Sequence, residues 1–370
     1  MKIVGVIAEY NPFHNGHLYH LKKVREKTNA NVVIAVITGY FSMRGTPSTL
    51  NIADKTRIAL NYGVDIVILL PYLLATNNAD LFSYYSVYML NKLGVEEIVS
   101  GSETNEIGFI EKIATLESDA HFQNNIRAEL QKGNSYRKAY TNALNNFKIP
   151  SILSNDLLNV KYLEAIKKIN PEIKLTLIQR INNNYLDKEI NNSNVQSATA
   201  IRELQNISAY VPHETNDLFI TKGFYQYNAF TPILRHQIIT NDLKKLFAAT
   251  EGIENQFTSN FHDIDSLLKS LTSKRYTTSR ISRFISYIIT NTTPEEMQKA
   301  KENPPVRVLG FNQIGQAYLH QIKKDHAYFS RLVFGIHSVY DKEIILAKIF
   351  SNVYNEDFIK MEQELPIIIK

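Results

Sequence analysis

Neither cysteine nor tryptophan occurs in the 370 residues. Without a thiol there is no disulfide, no thiolate zinc or iron–sulfur site and no cysteine nucleophile. No run approaches the ~18 uninterrupted apolar residues that mark a membrane-spanning helix. The opening apolar stretch, Ile3-Val4-Gly5-Val6-Ile7, meets polar Glu9 too soon for the core of an export signal. A cytoplasmic protein with no membrane association is expected, and no protein partner is implied. Charge of neither sign is scarce: 41 Lys and Arg stand against 36 Asp and Glu, a formal excess of +5. An excess this dilute permits a nucleic-acid partner without demanding one. Fixed-period repeats and coiled-coil heptads are also missing.

What is present is an alternation of short β-branched runs with amphipathic stretches over the first two hundred residues. Strands are expected at 2–9, 31–38, 65–70, 97–100 and 173–178, and helices at 17–28, 54–62, 80–93 and 157–169. This order predicts an α/β fold: a Rossmann-like, doubly wound parallel sheet with helices on both faces. Residues 108–150 keep a helical period but carry Arg127, Lys132, Arg137 and Lys138, so they read as an inserted helical segment. Residues 182–194 are Asn-rich and weakly patterned, as in a mobile loop. Beyond a boundary near 203–208 a mainly α-helical domain is expected, with helices at 242–248, 264–271, 280–290, 294–301 and 313–324.

The most informative segment follows the first strand: Ile7-Ala8-Glu9-Tyr10-Asn11-Pro12-Phe13-His14-Asn15-Gly16-His17-Leu18-Tyr19-His20. A strand ends, a Pro-containing loop turns, and His14-Asn15-Gly16-His17 opens a helix. Residues three apart at a helix start share a face, so His14 and His17 can both meet an anion held by the free N–H groups there. Gly16 allows close approach of backbone to that ligand. A second element, Ser197-Ala198-Thr199-Ala200-Ile201-Arg202, follows the last strand of the expected sheet. Ser197 or Thr199 can cap its helix, and Arg202 offers a fork of donors to phosphate.

His-x-Gly-His in this setting resembles the HIGH-type nucleotidyltransferases, in which two histidines bind ATP phosphates and stabilise charge at the α-phosphoryl group. Further segments are similar to the bacterial tRNA(Met) cytidine acetate ligase family: Thr38-Gly39-Tyr40-Phe41-Ser42-Met43-Arg44-Gly45-Thr46-Pro47, Asp54-Lys55-Thr56-Arg57, Leu70-Pro71, Gly101-Ser102-Glu103, Ser154-Asn155-Asp156 and Gln179-Arg180-Ile181. The likeness continues at Ser279-Arg280-Ile281-Ser282-Arg283 and Arg307-Val308-Leu309-Gly310-Phe311. It implies an ATP-dependent carbon–nitrogen ligase that forms acetyl-adenylate and acetylates N4 of the wobble cytidine of elongator tRNA(Met), releasing AMP and pyrophosphate. His14, His17 and Arg202 would be catalytic. ATP would lie along Ile7 to His20 and on Gly101, Asn155, Arg180, Ser197 and Thr199, with Asp156 and Asn159 as alternatives to Asn155. Two departures stand out: Asn182-Asn183-Asn184 replace a small, Gly-containing stretch, and Met43 stands where a polar residue is usual.

Charged residues elsewhere carry weaker expectations. Arg44, in a Gly-flanked loop, reads either as surface or as a group near an acceptor carboxylate or RNA backbone; Lys55 and Arg57 read equally as solvated surface. Asp80 and Glu103 read either as acids that assist a magnesium ion or the cytidine amine, or as helix-start or loop acids. No cluster has the spacing of a structural metal site, so the one metal expected is Mg²⁺ arriving with ATP. Lys274, Arg275, Arg280 and Arg283, interleaved with Tyr276 and Tyr287, suit tRNA phosphates and base stacking. Arg307 is expected at a domain seam. The division would be 1–205 for ATP chemistry and 206–370 for tRNA. The competing readings are an adenylyltransferase acting on nicotinate or pantetheine phosphate, and an RNA-binding module with a vestigial pocket.

Overall fold

The computed structural model describes residues 1–181, 194–324, 326–333, 335–336 and 338–370. The Asn-rich segment therefore lies outside the described residues except for Asn194. Its first half runs β1 (Ile3–Ala8), α1 (Asn15–Thr28), β2 (Val32–Thr38), α2 (Ile52–Asn61), β3 (Ile66–Leu70), α3 (Tyr72–Ala75), α4 (Ala79–Asn91), β4 (Glu97–Ser102), α5 (Ile107–Leu116), α6 (Ala120–Gln131), α7 (Tyr136–Asn146), α8 (Ser154–Ile169) and β5 (Lys174–Gln179). Each expected strand and helix of this half is present to within a few residues, and the inserted segment forms α5, α6 and α7. The parallel order β5-β4-β1-β2-β3 places β1 at the centre, between β4 and β2. Every residue of β2 and β3 is buried, which is why both read as continuous apolar runs. Each such Val or Ile contributes roughly 1.5–3 kcal/mol by leaving water.

Local caps set where the helices begin. Asn51 Oδ1 accepts the Asp54 N–H at 2.8 Å to start α2. Helix α8 has no side-chain cap of its own. Glu103, in the loop after β4, supplies it by accepting the Asn155 and Asp156 N–H groups at 3.3 and 2.9 Å. Asp156 answers by accepting the Glu103 and Thr104 N–H groups at 3.1 and 3.0 Å. This exchange fixes the end of β4 against the start of α8.

The second half continues α9 (Ala198–Arg202), α10 (His213–Lys222), α11 (Thr231–Thr240), α12 (Ile264–Leu271), α13 (Thr278–Thr290), α14 (Pro294–Ala300), β6 (Val306–Phe311), α15 (Gln313–Ile322), β7 (Tyr328–Phe329), α16 (Asp341–Tyr354), α17 (Phe358–Gln363) and β8 (Ile367–Ile368). It is mainly helical, as expected, with one correction: 242–248 holds only a 3₁₀ turn at Leu243–Lys245. Its three strands join the first half's sheet. β6 pairs antiparallel with β3, and β7 and β8 pair with β6. Arg307 sits fully buried on β6, with its guanidinium 2.6 Å from Glu362 of α17. Glu362 also accepts the Tyr40 hydroxyl at 2.6 Å, so one buried carboxylate ties α17 to β6 by an ion pair and to the loop after β2 by a hydrogen bond.

Candidate active site

The loop after β1 is shaped by side chains that turn inward. Tyr10 takes a left-handed backbone conformation at φ 46°, at a cost on the order of 1 kcal/mol. Its buried ring is held against Phe13 at 4.8 Å and His17 at 5.0 Å. Phe13 stacks on Tyr62 at 5.5 Å. Asn11 is buried, with Oδ1 accepting the Thr49 N–H at 2.7 Å. Tyr10, Asn11, Pro12 and Phe13 are thus buried as scaffold. Asn15 is scaffold too: its amide donates to the carbonyls of Asn194 and Ala209, both at 3.0 Å.

His14 is the N-cap of α1, and its Nδ1 accepts the Gly16 N–H at 3.0 Å. His17 Nδ1 accepts the His14 N–H at 3.2 Å, closing a capping box with the two rings stacked 3.8 Å apart. Both Nδ1 atoms are acceptors, so each neutral ring carries its proton on Nε2, where it is a donor. A Cβ on Gly16 would fall 2.8 Å from the His14 ring. The glycine is therefore required by the neighbouring imidazole, beyond any approach of backbone to ligand. Burial, then the charges of Arg180 and Arg202, pushes His14 down to about 3. Burial, then the neighbouring His14, Arg180 and His20, hold His17 well below its ordinary value. His20, a turn further on, is pushed down to about 4 by burial and Arg180. Three neutral imidazoles thus face a cationic cleft.

Arg202 closes the cleft from α9. One guanidinium nitrogen donates to the Asn11 carbonyl at 2.7 Å and the other to Thr199 Oγ1 at 3.1 Å. Ser197 caps this five-residue helix by accepting the Ala200 N–H at 3.2 Å. At the other edge, beyond β4 and β5, the Arg180 stem covers Gly101, where a Cβ would lie 3.2 Å from Arg180 Cγ. Its guanidinium reaches Asn155 Oδ1 at 3.4 Å, while Asn155 Nδ2 donates to Glu103 at 2.5 Å. Asp156 is wholly buried in the loop exchange, and Asn159 donates to the Gly101 carbonyl at 3.1 Å. Asn155, half-exposed beside Arg180, is the member of the three left facing the cleft. Sequence reasoning missed the part played by Glu103, which orients Asn155.

Some expectations for charged residues require correction. Lys55 is completely buried rather than solvated; its Nζ donates to the Thr38 carbonyl at 2.6 Å and Ser48 Oγ at 3.1 Å, and burial pushes it down to about 7. Arg57 pairs with Asp54 at 2.9 Å. Asp80 lies in the first turn of α4 and meets Lys161 at 3.0 Å. Mg²⁺ requires oxygen ligands, and the residues lining the cleft do not suit it as a protein-held ion. They present imidazoles and guanidinium groups, and Glu9 is already the acceptor of the Met43 N–H at 2.5 Å. Among the described residues no group of three His, Asp or Glu could hold a metal.

On α13 the basic residues divide. Lys274 and Arg275 are exposed before the helix. Arg280 is bound to Glu251 at 2.6 Å. Arg283 is half-buried, with its guanidinium pKa lowered by burial. The expectation of base stacking fails: Tyr276 and Tyr287 are buried at 7 and 1 % exposure, with Tyr276 covered by Arg275 and Arg280 at 5.5 and 5.3 Å.

The family model described as HIGH Nucleotidyl Transferase matches residues 1–358. A tRNA(Met) cytidine acetate ligase of Caldicellulosiruptor saccharolyticus is 35% identical over 351 residues, covering 90% of this chain and 88% of that one. One from Fusobacterium nucleatum is 35% identical over 352 residues, covering 90% and 87%. The crystal structure of Thermotoga maritima TmcAL bound with alpha-thio ATP superposes with a TM-score of 0.84 at 27% identity, covering 100% of both chains. No helix among the described residues is long and apolar enough to cross a membrane.

Proposed function

The chain belongs to the tRNA(Met) cytidine acetate ligase family of HIGH nucleotidyl transferases, and from that premise we propose how its site makes N4-acetylcytidine at the wobble position of elongator tRNA(Met). A carboxylate oxygen of acetate bonds to the α-phosphorus of ATP as the bond to the bridging oxygen breaks, and pyrophosphate leaves. The cytidine N4 amine then attacks the acetyl carbon of the mixed anhydride. The bond from that carbon to the AMP oxygen breaks, the amine gives up a proton, and AMP leaves.

The observation that carries this reading is the paired capping by His14 and His17, which leaves two Nε2–H donors side by side at the start of α1. Neutral rings donate hydrogen bonds to phosphate oxygens without moving a proton, and such preorganised donors act where charge develops. Arg202, anchored on Asn11 and Thr199, keeps further N–H groups for the departing pyrophosphate. Arg180, Gly101 and Asn155 receive the nucleoside at the carboxyl ends of β4 and β5, beside the point where strand order reverses. Ser197 and Thr199 border the phosphates. Mg²⁺, when it accompanies ATP, would neutralise phosphate charge from the nucleotide's side. Lys274, Arg275, Arg280 and Arg283 would receive tRNA phosphates, with 1–205 carrying the ATP chemistry and 206–370 the RNA. A tRNA substrate supports a cytoplasmic location.

Incubation with ATP, labelled acetate and bulk tRNA tests the reading. Label should enter RNA only when ATP is present, with AMP accumulating in step. Transfer of AMP to nicotinate or pantetheine phosphate, with no labelled RNA, would favour the adenylyltransferase instead.

A further inference from the structure

The loop between β2 and α2 is built more tightly than its polar tip requires. Ser42 to Gly45 form a turn closed by the Gly45 N–H on the Ser42 carbonyl at 3.0 Å. The Ser42 N–H bonds the Thr46 carbonyl at 2.8 Å, and Thr76 Oγ1 donates to the Ser42 carbonyl at 3.1 Å. Glu9, at the end of β1, holds the Met43 N–H. Buried Lys55 ties the two ends of the loop through Thr38 and Ser48. Gly45, at φ 86°, lies so close to α13 that a Cβ would fall 2.4 Å from the Arg283 nitrogen.

This rigid turn presents one charged side chain. Arg44 is exposed, and among the described residues it makes no hydrogen bond or ion pair. Through Glu9 its turn is fastened to the end of β1, and the loop that leaves that strand end carries Asn11, on which Arg202 is anchored. A solvated arginine needs no such scaffold, and a guanidinium left without a partner beside a phosphate-binding loop is free to take an anion. The sheet order says which anion. The nucleoside-side residues lie over β4 and β5, on one side of β1, whereas the Arg44 turn follows β2, on the other. The second reactant approaches from the side the nucleotide leaves free, and it is itself an anion that must come up to an anionic phosphate.

We propose that Arg44 is the residue that receives the carboxylate of the acyl donor, gripping it at the tip of the Ser42–Gly45 turn beside the α-phosphate. The turn, held by Glu9 and Lys55, fixes the backbone from which the guanidinium reaches. This rests on the acetate-ligase reading given above and assigns its acceptor subsite.

Acetate-dependent exchange between ATP and pyrophosphate, run without tRNA, tests it. Arg44→Ala should raise the KM for acetate roughly 10- to 100-fold, as for loss of a charge-assisted hydrogen bond, and leave the KM for ATP within about twofold. Arg44→Lys, which keeps the charge but loses the fork, should fall between. An unchanged ATP KM also shows that the variant is folded. If the wild-type protein exchanges with acetate and Arg44→Ala does so with an unaltered acetate KM, the assignment is wrong while the acetate-ligase reading stands. In a separate tRNA acetylation assay, a raised tRNA KM with an unaltered acetate KM would give Arg44 to the RNA and overturn the assignment equally. A wild-type protein with no acetate-dependent exchange would overturn both.

Discussion

Arg202 and Asn11, 191 residues apart in sequence, are joined by a 2.7 Å hydrogen bond from the guanidinium to the backbone carbonyl. The bond locks the segment after β5 onto the loop after β1, so the groups that face pyrophosphate and the groups that face the α-phosphate share one frame. Arg202→Lys keeps the charge but cannot serve Asn11, Thr199 and a phosphate together. It should lower acetate-dependent ATP–pyrophosphate exchange by at least about tenfold, with a melting temperature close to wild type. A variant with normal exchange would show that the bridge is merely structural.

His14→Asn and His17→Asn separate capping from catalysis. Asparagine is a good N-cap and places an oxygen near the position of Nδ1, but lacks the Nε2–H donor. Each variant should lose roughly 100-fold or more in exchange, the range for removal of a transition-state hydrogen-bond donor. His14→Ala should additionally lose about 1 kcal/mol of stability in urea unfolding. Retention of full exchange in both Asn variants would remove the imidazoles from the chemistry.

Stability should fall in mild acid, with a sign set by the histidines. Burial and neighbouring arginines put His14 at about 3 and His20 at about 4 in the folded protein, against roughly 6.5 in the unfolded chain. Between those limits the unfolded state takes up protons that the folded state does not. The stability is complete above about pH 6.5 and is lost as the pH falls toward 4. Each histidine contributes at most about 1.4 kcal/mol per pH unit. Urea midpoints at pH 7 and pH 5 check this: His20→Gln should shrink the difference between them, and an identical difference would contradict the assignment.

Much of the fold was legible because β1 to β5 and their helices combine local propensity with burial. β3 and all of β2 but its last residue, Thr38, are apolar and bounded by polar turns, so the apolar run alone finds them. β6 was not legible as a strand, because Arg307 and Gly310 interrupt its apolar run. Arg307 reads as a residue of a domain seam, and its burial within the sheet is explained only when Glu362, 55 residues away, is seen beside it. Lys55 misleads for the same reason: its partners are main-chain oxygens and a serine hydroxyl, which no spacing of charged residues announces. In the site, His14 and His17 were legible from a short motif. The use of Glu103 to hold Asn155 was not, since it depends on β4 and α8 meeting in space.

The buried Arg307–Glu362 pair predicts non-additive stability. Arg307→Met leaves a buried carboxylate without its cation and should cost about 3–5 kcal/mol. Pairing it with Glu362→Met removes the stranded charge and should recover part of that loss. Unfolding in urea measures the cycle, and additive losses would mean that the two side chains do not act as a pair.

Exposed Lys274 and Arg275 should carry more of the tRNA affinity than Arg280, which Glu251 already compensates. Lys274→Ala with Arg275→Ala should weaken tRNA binding and reduce the slope of log affinity against log salt by about 1.5–2, leaving ATP affinity unchanged. An unaltered slope would take these residues out of the RNA interface.

The central claim is that an oxygen of acetate attacks the α-phosphorus, and the fate of that oxygen tests it most directly. With both carboxylate oxygens of acetate replaced by a heavy isotope, and ATP and tRNA in ordinary water, the account predicts AMP carrying one heavy oxygen for every acetylcytidine formed. Unlabelled AMP accompanying full tRNA acetylation, read by mass spectrometry, would contradict it.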